Sequence, residues 1–532
     1  MRVLIYLVVI SSVILWSSCR KDFDAEPSVG NLEFSTDTLL LDTVFTNIGS
    51  STYNFKVYNR SGDDFLIPKI ELERGENSNY RLNVNGIADS SFEDVLIRAQ
   101  DSIFIFVETT TDIADQTDDI EFLYTDRILF DPDGKQQDVD LVALIKDATF
   151  LFPSRNSMTG EIQTLLLGLD EEQNEIRVEG FFIPDEQLTF TSEKPYVIYG
   201  FAAIPPDRTL TIEAGARIHF HENSGIIASN NSTLLVNGEA SSDPSALENA
   251  VIFEGDRLEP EYSEVPGQWF SIWLTPGSKN HQINHAIIKN ATAGILAIGD
   301  GESEETMLDI RNTQVYNHSI AGLLFRSTNV VGENVVVNNA GQVSLNCSFG
   351  GSYEFTHSTF ANYQRITNDN SVAVLIDNFI ELEDDQILTQ DLKKADFTNC
   401  IIYGNQAIEL QFGKKEEAAF TYNFKNCLIK LNTEGTSLEN DELYDLTNTA
   451  RYQDIIVNED PDFKRNLPKF DRDNEDIDDD LLRKSINFLN IGEESAANGK
   501  ATTPGTGTDI TGTARNNSAP DIGAYESVEF EK

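Results

Sequence analysis

One short pattern recurs through the middle of the chain and constrains the fold more than any other feature. Each copy has an apolar residue, a spacer, an Asn or His that we call the anchor, and an apolar residue three positions after the anchor, with Gly332 as the exception at the first position. The six anchors are His285, Asn312, Asn334, His357, Asn399 and Asn426. The steps between them are 27, 22, 23, 42 and 27 residues. A period near 22 residues indicates a repeat protein in which each repeat stacks on the next.

The residues between the anchors favour stacked strands over stacked helices. Val, Ile, Phe, Thr and Asn dominate, and the sequence shows neither a helical apolar stripe nor the spaced leucines of a leucine-rich repeat. The predicted fold is therefore all-β, with a parallel β-helix whose turns stack about 4.8 Å apart through ladder hydrogen bonds.

The parity of the apolar positions predicts a corner at every anchor. Residues two before and three after an anchor point to opposite faces of a straight strand, so both reach one core only if the chain bends between them. Asn side chains stacked at such a corner would pair their amides from turn to turn, and His285 and His357 would take slots in the same column. The long step from His357 to Asn399 is close to two periods, and a degenerate copy around 371–380 is expected to fill it.

Composition limits the partners and cofactors. The 532 residues carry 39 Lys and Arg against 88 Asp and Glu, a formal net charge of −49. Such a charge excludes nucleic acids and anionic membrane surfaces as partners. Cys347, Cys400 and Cys427 lack the spacing of a metal site, so no metal or other cofactor is expected, although the acidity leaves calcium open. A Cys400–Cys427 disulfide and a pair of reduced buried thiols both remain open.

The amino terminus has the pattern of an export signal. An apolar run at 3–16 follows Met1 and Arg2, and it is too short for a comfortable membrane span. The run leads into the stretch Ser17-Ser18-Cys19, which resembles a bacterial lipoprotein signal, although Trp16 stands where that pattern prefers Leu. A plain cleaved signal with a coincidental cysteine is the alternative.

The lipoprotein resemblance implies a signal peptide at 1–18, a lipid on Cys19 and an anchor linker at 19–31. Lys21, followed by acidic residues, resembles the export tag of lipoproteins in the Bacteroidota. The expected location is the cell envelope, in the outer membrane and facing outward.

Residues 32–150 indicate a separate β domain. Strand-like runs such as 39–45 and 53–58 alternate with turn sequences such as 61–64. About seven such strands predict a β-sandwich, and the stretch 45–61 resembles the immunoglobulin-like sandwiches that precede β-helices in such lipoproteins. No catalytic set of residues occurs in this region, which favours a spacer or adaptor role.

A connecting segment is expected at 151–193 and the β-helix at 194–456. The short strands and glycines of 194–257 resemble the first coils of right-handed parallel β-helix lipoproteins of the pectin-lyase-like class, and the resemblance continues through the anchored repeats. An acidic loop and a closing segment at 457–532 complete the chain, and 509–526 resembles the closing segment of the same family.

The resemblance gives little support for catalysis. Pectin-hydrolase relatives combine an Asn-x-Asp, an Asp-Asp pair, a His and an Arg-x-Lys, whereas this chain has Asp384-Asp385 but no Arg-x-Lys. Lyase relatives place a Lys or Arg base beside carboxylates that hold calcium, and no such set can be specified from the sequence.

Two pairs of side chains are candidates for binding. His219 and His221 lie two apart on a predicted strand, and an incidental exposed pair is a better interpretation than a shared metal. Trp269 and Trp273 would both point outward if Ile272 points into the core, and would then offer an apolar platform to sugar rings. The alternative is that the indoles pack beneath a loop or the sandwich.

The resulting hypothesis is a non-catalytic cell-envelope lipoprotein that presents a long acidic β surface to glycans or to surface proteins. A lyase or hydrolase of an acidic polysaccharide is the alternative, and a purely structural spacer is the second alternative.

Overall fold

The structure is a computed structural model, and it describes residues 25–28, 30–117, 119–169, 173–242, 246–363, 371–382, 386–464, 487–502 and 507–530. The predicted signal peptide, Cys19, the Asp384-Asp385 pair and the acidic run 471–480 lie outside the described residues. The chain is all-β. It divides into two compact units, Met1–Asp147 and Ala148–Lys532.

The first unit contains two sheets. Its strands are β1 Glu26–Pro27, β2 Glu33–Phe34, β3 Thr38–Phe45, β4 Tyr53–Tyr58, β5 Phe65–Leu72, β6 Tyr80–Val84, β7 Ile87–Asp89, β8 Ser91–Ile97, β9 Ser102–Thr109, β10 Glu121–Phe130 and β11 Gln137–Lys146. One sheet has the order β1-β5-β10-β11-β3, with β8 on the other side of β5, and the second sheet has the order β2-β4-β9-β6-β7. Both contribute to a single apolar core.

Alternation along the strands explains this core. In β9, for example, Ile103, Ile105 and Val107 are buried, whereas Phe104 and Phe106 between them are exposed. A strand directs successive side chains to opposite faces, so each sheet covers the core with one face and meets water with the other.

The second unit holds the remaining strands. They are β12 Thr149–Leu151, β13 Thr164–Leu169, β14 Glu175–Phe182, β15 Thr189–Phe190, β16 Tyr196–Ile198, β17 Phe201–Ile204, β18 Thr209–Glu213, β19 Arg217–Phe220, β20 Gly225–Ala228, β21 Thr233–Asn237, β22 Val251–Gly255, β23 Ser271–Leu274, β24 His281–Asn284, β25 Ala286–Lys289, β26 Ala293–Ile298, β27 Leu308–His318, β28 Ala321–Ala340, β29 Val343–Thr356, β30 Thr359–Asn362, β31 Val372–Asp377, β32 Phe379–Glu381, β33 Ile387–Thr389, β34 Leu392–Thr398, β35 Ile401–Gly404, β36 Leu410–Gly413, β37 Asn423–Lys425, β38 Leu428–Ile429, β39 Tyr452–Gln453 and β40 Ile456–Val457.

These strands pair in parallel over long sequence distances, except for the antiparallel hairpins β13–β14 and β32–β33. From β14 to β24 each strand pairs with the third strand after it, as in β17–β20, β20–β23 and β18–β21. One turn of the chain thus contributes three strands, and the next turn lies beside it. Aromatic rings fill the space between turns: Phe397 stacks on Phe355 at 5.5 Å and on Phe424 at 4.9 Å between ring centroids. All three residues stand two before an anchor.

The segment 151–193, expected as a connector, belongs to the stacked turns instead. β12 pairs with β16, β14 with β17 and β15 with β18, all in parallel. The first turn therefore begins at Thr149, well before the predicted start at residue 194. No anchor occurs in this segment, so the repeat pattern could not mark it.

The explanation given for the long step between His357 and Asn399 is wrong. β29 pairs directly with β34, and Thr356 lies opposite Thr398. The two anchors are thus in adjacent turns, and the expected degenerate copy contributes β31 to a different ladder, where it pairs with Val343–Cys347. Some of the additional residues form the antiparallel hairpin β32–β33, which connects β31 to β34. A longer connection of this kind costs little closure entropy.

Cys347, Cys400 and Cys427 are buried free thiols. The Cys400 and Cys427 thiols donate to the carbonyl oxygens of Thr398 and Phe397 at 3.3 Å each. Burial raises the pKa of Cys400 well above its ordinary value, which keeps it protonated.

Helical structure in the described residues consists of short 3-10 turns, at Gly75–Asn77, Ile113–Asp115, Asp185–Gln187, Pro260–Tyr262 and Glu442–Tyr444. Within the described ranges no helix has the length and apolarity needed to cross a membrane.

Candidate functional site

The six anchors occupy equivalent corners of successive turns. The residues just before them are register partners, from Asn284 opposite Arg311 to Thr398 opposite Lys425. Every anchor has a positive φ: 46° at His285, 48° at Asn312, 52° at Asn334, 46° at His357, 55° at Asn399 and 49° at Asn426. Asn is among the residues that enter this left-handed region most easily, which accounts for its dominance at the corner.

Side-chain hydrogen bonds connect parts of this column. Asn334 Nδ2 donates to Asn312 Oδ1 at 2.9 Å, and Asn399 Nδ2 donates to His357 Nε2 at 3.0 Å. At the amino-terminal end, Asn312 Nδ2 donates at 2.9 Å to Asn284 and not to the anchor His285. The bonds therefore run along segments of the column.

The C-terminal segment forms hydrogen bonds with further polar groups of the column. Asn399 exchanges two hydrogen bonds with the Thr502 backbone, at 2.9 Å through its Nδ2 and at 3.0 Å through its Oδ1. The Thr502 hydroxyl also donates to Asn426 Oδ1 at 3.3 Å. The column thus serves as the attachment line for a second stretch of chain.

Asn399→Ala is expected to lower the free energy of unfolding by about 3 kcal/mol. About 1 kcal/mol arises because alanine resists a positive φ, and about 2 kcal/mol because the half-buried Thr502 and the buried His357 lose their hydrogen bonds. Asn399→Gly keeps the backbone conformation accessible and should recover about 1 kcal/mol. Urea titration of the full chain measures each difference.

The control is Asn223→Ala, since Asn223 is exposed and also has a positive φ, 58°. It should cost only about 1 kcal/mol. Equal stability of the alanine and glycine variants at position 399 would contradict the conformational part of this explanation.

The predicted closing segment lies along the flank of the turns. Arg515 Nη2 donates to Asn334 Oδ1 and Arg515 Nη1 to Glu526 Oε1, both at 2.9 Å. The Arg515 and Glu526 side chains are only 3% and 11% exposed. The backbone N–H of Gly523 donates to the Asn399 carbonyl at 2.9 Å. One strip of chain therefore bridges several turns.

A small pocket remains where this strip ends. It has a volume of about 80 Å³ and is lined by His285, Asn312, Gln314 and Glu239, among others. Burial lowers the pKa of His285, while the Glu239 charge opposes that shift. A pocket of this volume has room for a few water molecules.

The prediction that both indoles lie outside is wrong for Trp269. Its side chain is 1% exposed, it stacks on Phe220 at 4.3 Å, and its Nε1 donates to the Lys289 carbonyl at 2.8 Å. Strand β23 starts only at Ser271, so strand parity does not extend back to Trp269.

Trp273 does point away from the central core, but an apolar cluster covers it. Its neighbours there include Leu165 and Phe201, and the former belongs to the β13–β14 hairpin. A sugar platform made by Trp269 and Trp273 is therefore not formed.

One lysine lies beside a carboxylate, as a lyase base would. Lys289 Nζ lies 2.9 Å from Glu254 Oε2, and Glu254 Oε1 lies 3.7 Å from His219 Nδ1. The Lys289 side chain is 14% exposed. His221, which is two residues after His219, pairs with Asp256 at 2.8 Å. No group of three or more metal-binding side chains occurs in the described part of the chain.

The charges of this cluster do not suit general-base catalysis. Burial lowers the pKa of Lys289, but the charges of Glu254, Tyr316 and Glu264 and the hydrogen bond to Glu254 together outweigh burial, so the pKa is raised. An amine with a raised pKa keeps its proton and cannot remove one from a substrate. A buried ion pair that fixes two adjacent turns accounts for the arrangement.

A long polar surface of the second unit is the outward side of the ladder that leads into the anchors. Each of its residues is at least partly accessible. We call this surface the open face, and it comprises Thr211, Leu235, Gln282, Asp309, Val331, Glu354, Asp396, Asn423, Glu213, Asn237, Asn284, Arg311, Glu333, Thr356, Thr398, Lys425 and Gln453.

Ion pairs tie neighbouring turns together across the open face. Arg311 lies 2.8 Å from Asp309 and 2.7 Å from Glu333. Lys394, at the border, lies 2.5 Å from Glu354 and 3.5 Å from Asp396. Amide and hydroxyl side chains occupy much of the rest. The surface therefore offers hydrogen-bonding groups at the spacing of the turns, about 4.8 Å.

A pocket of about 170 Å³ lies at the amino-terminal ends of strands in this ladder. Lys279, Asp300, Glu305 and Asn329 are among its lining residues. Hydrogen bonds from the backbone N–H groups of Ser303 and Glu302 lower the pKa of Asp300.

Comparison with known proteins gives only remote likenesses. No family model matches, and no curated protein matches significantly. A solved α-1,3-glucanase catalytic unit of glycoside hydrolase family 87 from Streptomyces thermodiastaticus is 9% identical, with 70% of this chain and 79% of that chain covered and a TM-score of 0.24. Likeness at this level carries no argument.

Two further solved structures match about a quarter of the chain. A protein of unknown function from Porphyromonas gingivalis is 9% identical, with 24% of this chain and 50% of that chain covered and a TM-score of 0.17. A PapD-like domain of human CEP192 is 8% identical, with 24% of this chain and 94% of that chain covered and a TM-score of 0.16. This chain thus spans half the length of the P. gingivalis protein.

Sequence reasoning missed a second corner column. Asn290, Asn317 and Asn339, five residues after their anchors, also have positive φ, of 66°, 61° and 55°. Asn339 Nδ2 donates to Asn317 Oδ1 at 2.5 Å, and Asn487 Nδ2 donates to the same oxygen at 3.1 Å. The repeated Asn at this position was the available signal, and it marks a second line of attachment for the C-terminal segment.

Proposed function

We propose that the protein is a lipid-anchored, non-catalytic binding protein of the cell envelope, in which the open face holds an extended glycan. The observation that carries this proposal is the open face itself: a long, accessible surface of amide and hydroxyl side chains, with Gln282, Asn237 and Thr398 among them. The neighbouring ladder, by contrast, is covered by the C-terminal segment.

The proposed architecture is a β-sandwich of the immunoglobulin-like kind followed by a right-handed parallel β-helix of the pectin-lyase-like class, as in lipoproteins of the Bacteroidota. Two sheets around one core support the first part. Three strands per turn and parallel pairing between turns support the second part. A lipid on Cys19 would attach the chain to the outer membrane, facing outward.

A neutral polysaccharide fits the open face better than a polyanion. Glu213, Asp309, Glu333, Glu354 and Asp396 outnumber the cations there, and the whole chain carries −49. Hydroxyl groups can exchange hydrogen bonds with Asn, Gln and Thr without a charge of their own. Sugar units in an extended chain could then meet successive turns of the protein.

Removing the amides of the open face is expected to weaken glycan binding. Gln282→Ala and Asn237→Ala should each lower affinity about 2–10-fold, because each loses hydrogen bonds worth about 0.5–1.5 kcal/mol. Binding of the full chain to a panel of immobilised neutral and acidic polysaccharides measures the effect, followed by titration calorimetry with the best ligand.

The matched control is Gln187→Ala, since Gln187 is an exposed amide of the second unit outside the open face. This variant should bind the glycan with the affinity of the wild type. Release of shortened or unsaturated sugars during the assay would overturn the non-catalytic reading. Binding that the control variant reduces as much as Gln282→Ala would overturn the assignment to the open face.

A further inference from the structure

A second surface with recognition chemistry lies in the first unit, on the outward side of the sheet β2-β4-β9-β6-β7. Phe104 and Phe106 of β9 are 43% and 39% exposed. Their ring centroids lie 6.0 Å apart and their planes differ by 24°. Large apolar side chains that stand side by side in water on a sheet face often mark a binding site.

The sheet register places polar side chains on both sides of these rings. Asn54 and Asn83 are the direct cross-strand partners of Phe106, and cross-strand partners on one face lie close enough for both to contact one ligand. Asn83 Oδ1 accepts from the Gly86 N–H at 2.9 Å, which leaves the Asn83 amide hydrogens as donors. The row across three strands is thus amide, aromatic ring, amide.

One cation lies beside this row. Lys56 is the cross-strand partner of Phe104, and its Nζ lies 4.8 Å from the centre of that ring. Two arginines of the same face are neutralised, since Arg60 pairs with Glu33 at 3.2 Å and Arg81 with Glu108 at 3.5 Å. Lys56 forms no such ion pair within the part of the chain that the structure describes. The face therefore has one uncompensated positive charge in a chain of net charge −49.

We propose that this face is a separate glycan site, which binds a pyranose bearing a carboxylate, that is, a uronate unit of an acidic polysaccharide. The apolar face of the sugar ring stacks on Phe106, its hydroxyls bond to Asn54 and Asn83, and its carboxylate meets Lys56. Charge complementarity with Lys56 selects an acidic ring over a neutral one. The site is independent of the open face, which takes a neutral chain.

A bilayer is the other surface that exposed rings and a cation can meet. The amides and the two Arg–Glu pairs argue against it, because pressing them onto lipid would remove their water without replacing its hydrogen bonds. The exposed aromatic area is also only two rings wide, which suits one or two sugar units.

The test uses the full chain and defined oligouronates, with neutral oligosaccharides of the same length for comparison. Phe106→Ala should weaken oligouronate binding about tenfold. Lys56→Gln should weaken it severalfold and remove most of its salt dependence. Leu123→Ala is the matched control, since Leu123 is an exposed apolar residue of the other sheet, 57% accessible, and it should bind as the wild type does.

Gln282→Ala, which targets the open face, should leave oligouronate binding unchanged. The proposal for each site is therefore tested separately. Circular dichroism melting of each variant shows whether the first unit stays folded. A loss of neutral-oligosaccharide binding in Phe106→Ala as large as its loss of oligouronate binding would overturn the proposal. So would absence of oligouronate binding, or binding to phosphatidylcholine–phosphatidylglycerol vesicles that Phe104→Ala and Phe106→Ala abolish.

Discussion

Arg515→Ala is expected to lower the free energy of unfolding of the second unit by about 3–5 kcal/mol, the usual cost of breaking a buried ion pair from one side. The Glu526 carboxylate, with its side chain 11% exposed, would lose its guanidinium partner. Asn334 Oδ1 would lose a donor at 2.9 Å in a fully buried position. Chemical denaturation followed by intrinsic fluorescence measures the loss.

Arg208→Ala is the matched control for this variant. Arg208 also forms two bonds with one carboxylate, at 3.0 and 3.1 Å to Asp185. Those side chains are 50% and 61% exposed, however, and exposed pairs contribute less than about 1 kcal/mol. A loss at Arg515 no larger than that at Arg208 would show that the C-terminal segment does not hold the turns together.

The corner column shows how much a single sequence can indicate. Opposite parity of Ile283 and Ile288 around His285 requires a bend, and both isoleucines lie in one core cluster with a positive φ between them. Asn occurs at such corners both because it adopts a positive φ easily and because its side chain forms hydrogen bonds. At these positions the backbone preference of Asn and the stacking of the turns favour the same conformation. The repeat could therefore be recognised from the sequence.

The sequence did not indicate which outward residues are covered by a distant segment of the chain. Nothing in the sequence around Asn317 or Asn334 indicates that Asn487 and Arg515, more than a hundred residues later, contact these two side chains. Strand parity also failed where a strand begins later than expected, as at Trp269. The sequence alone could therefore predict which residues face the core, but not which outward residues are covered by another segment.

Stability is expected to fall steeply as the pH drops from about 6.5 toward 4.5, because three buried histidines are held neutral. Burial lowers the pKa of His281 and of His318 to about 4 each. Burial, helped by the Arg515 charge, lowers that of His357 to about 3. The unfolded chain protonates them near pH 6.5. Between these values only the unfolded state gains protons, so each histidine removes about 1.4 kcal/mol per pH unit.

The titration of Glu409 offsets the contribution of about one of these three histidines to the pH dependence of stability. Burial raises its pKa to about 8, so between about pH 8 and 4.5 the folded state holds a proton that the unfolded state lacks, and stability from this group rises as the pH falls. Together these four groups are expected to cause a loss of about 3 kcal/mol per pH unit below 6.5. Urea titrations at pH 7.0, 6.0 and 5.0 would measure it.

His281→Gln should make the fall of stability with pH shallower by the contribution of one histidine, about 1.4 kcal/mol per pH unit. The His281 ring accepts from the Leu234 N–H at 2.9 Å and lies 1% exposed, so its neutral form is the one the fold requires. His221→Gln should have the opposite effect, because the hydrogen bond to Asp256 raises the pKa of His221 and protonation there favours the folded state at low pH. Parallel pH profiles for the wild type and His281→Gln would mean that His281 accepts a proton in the folded chain, which its buried position between Leu234 and Ser278 does not permit.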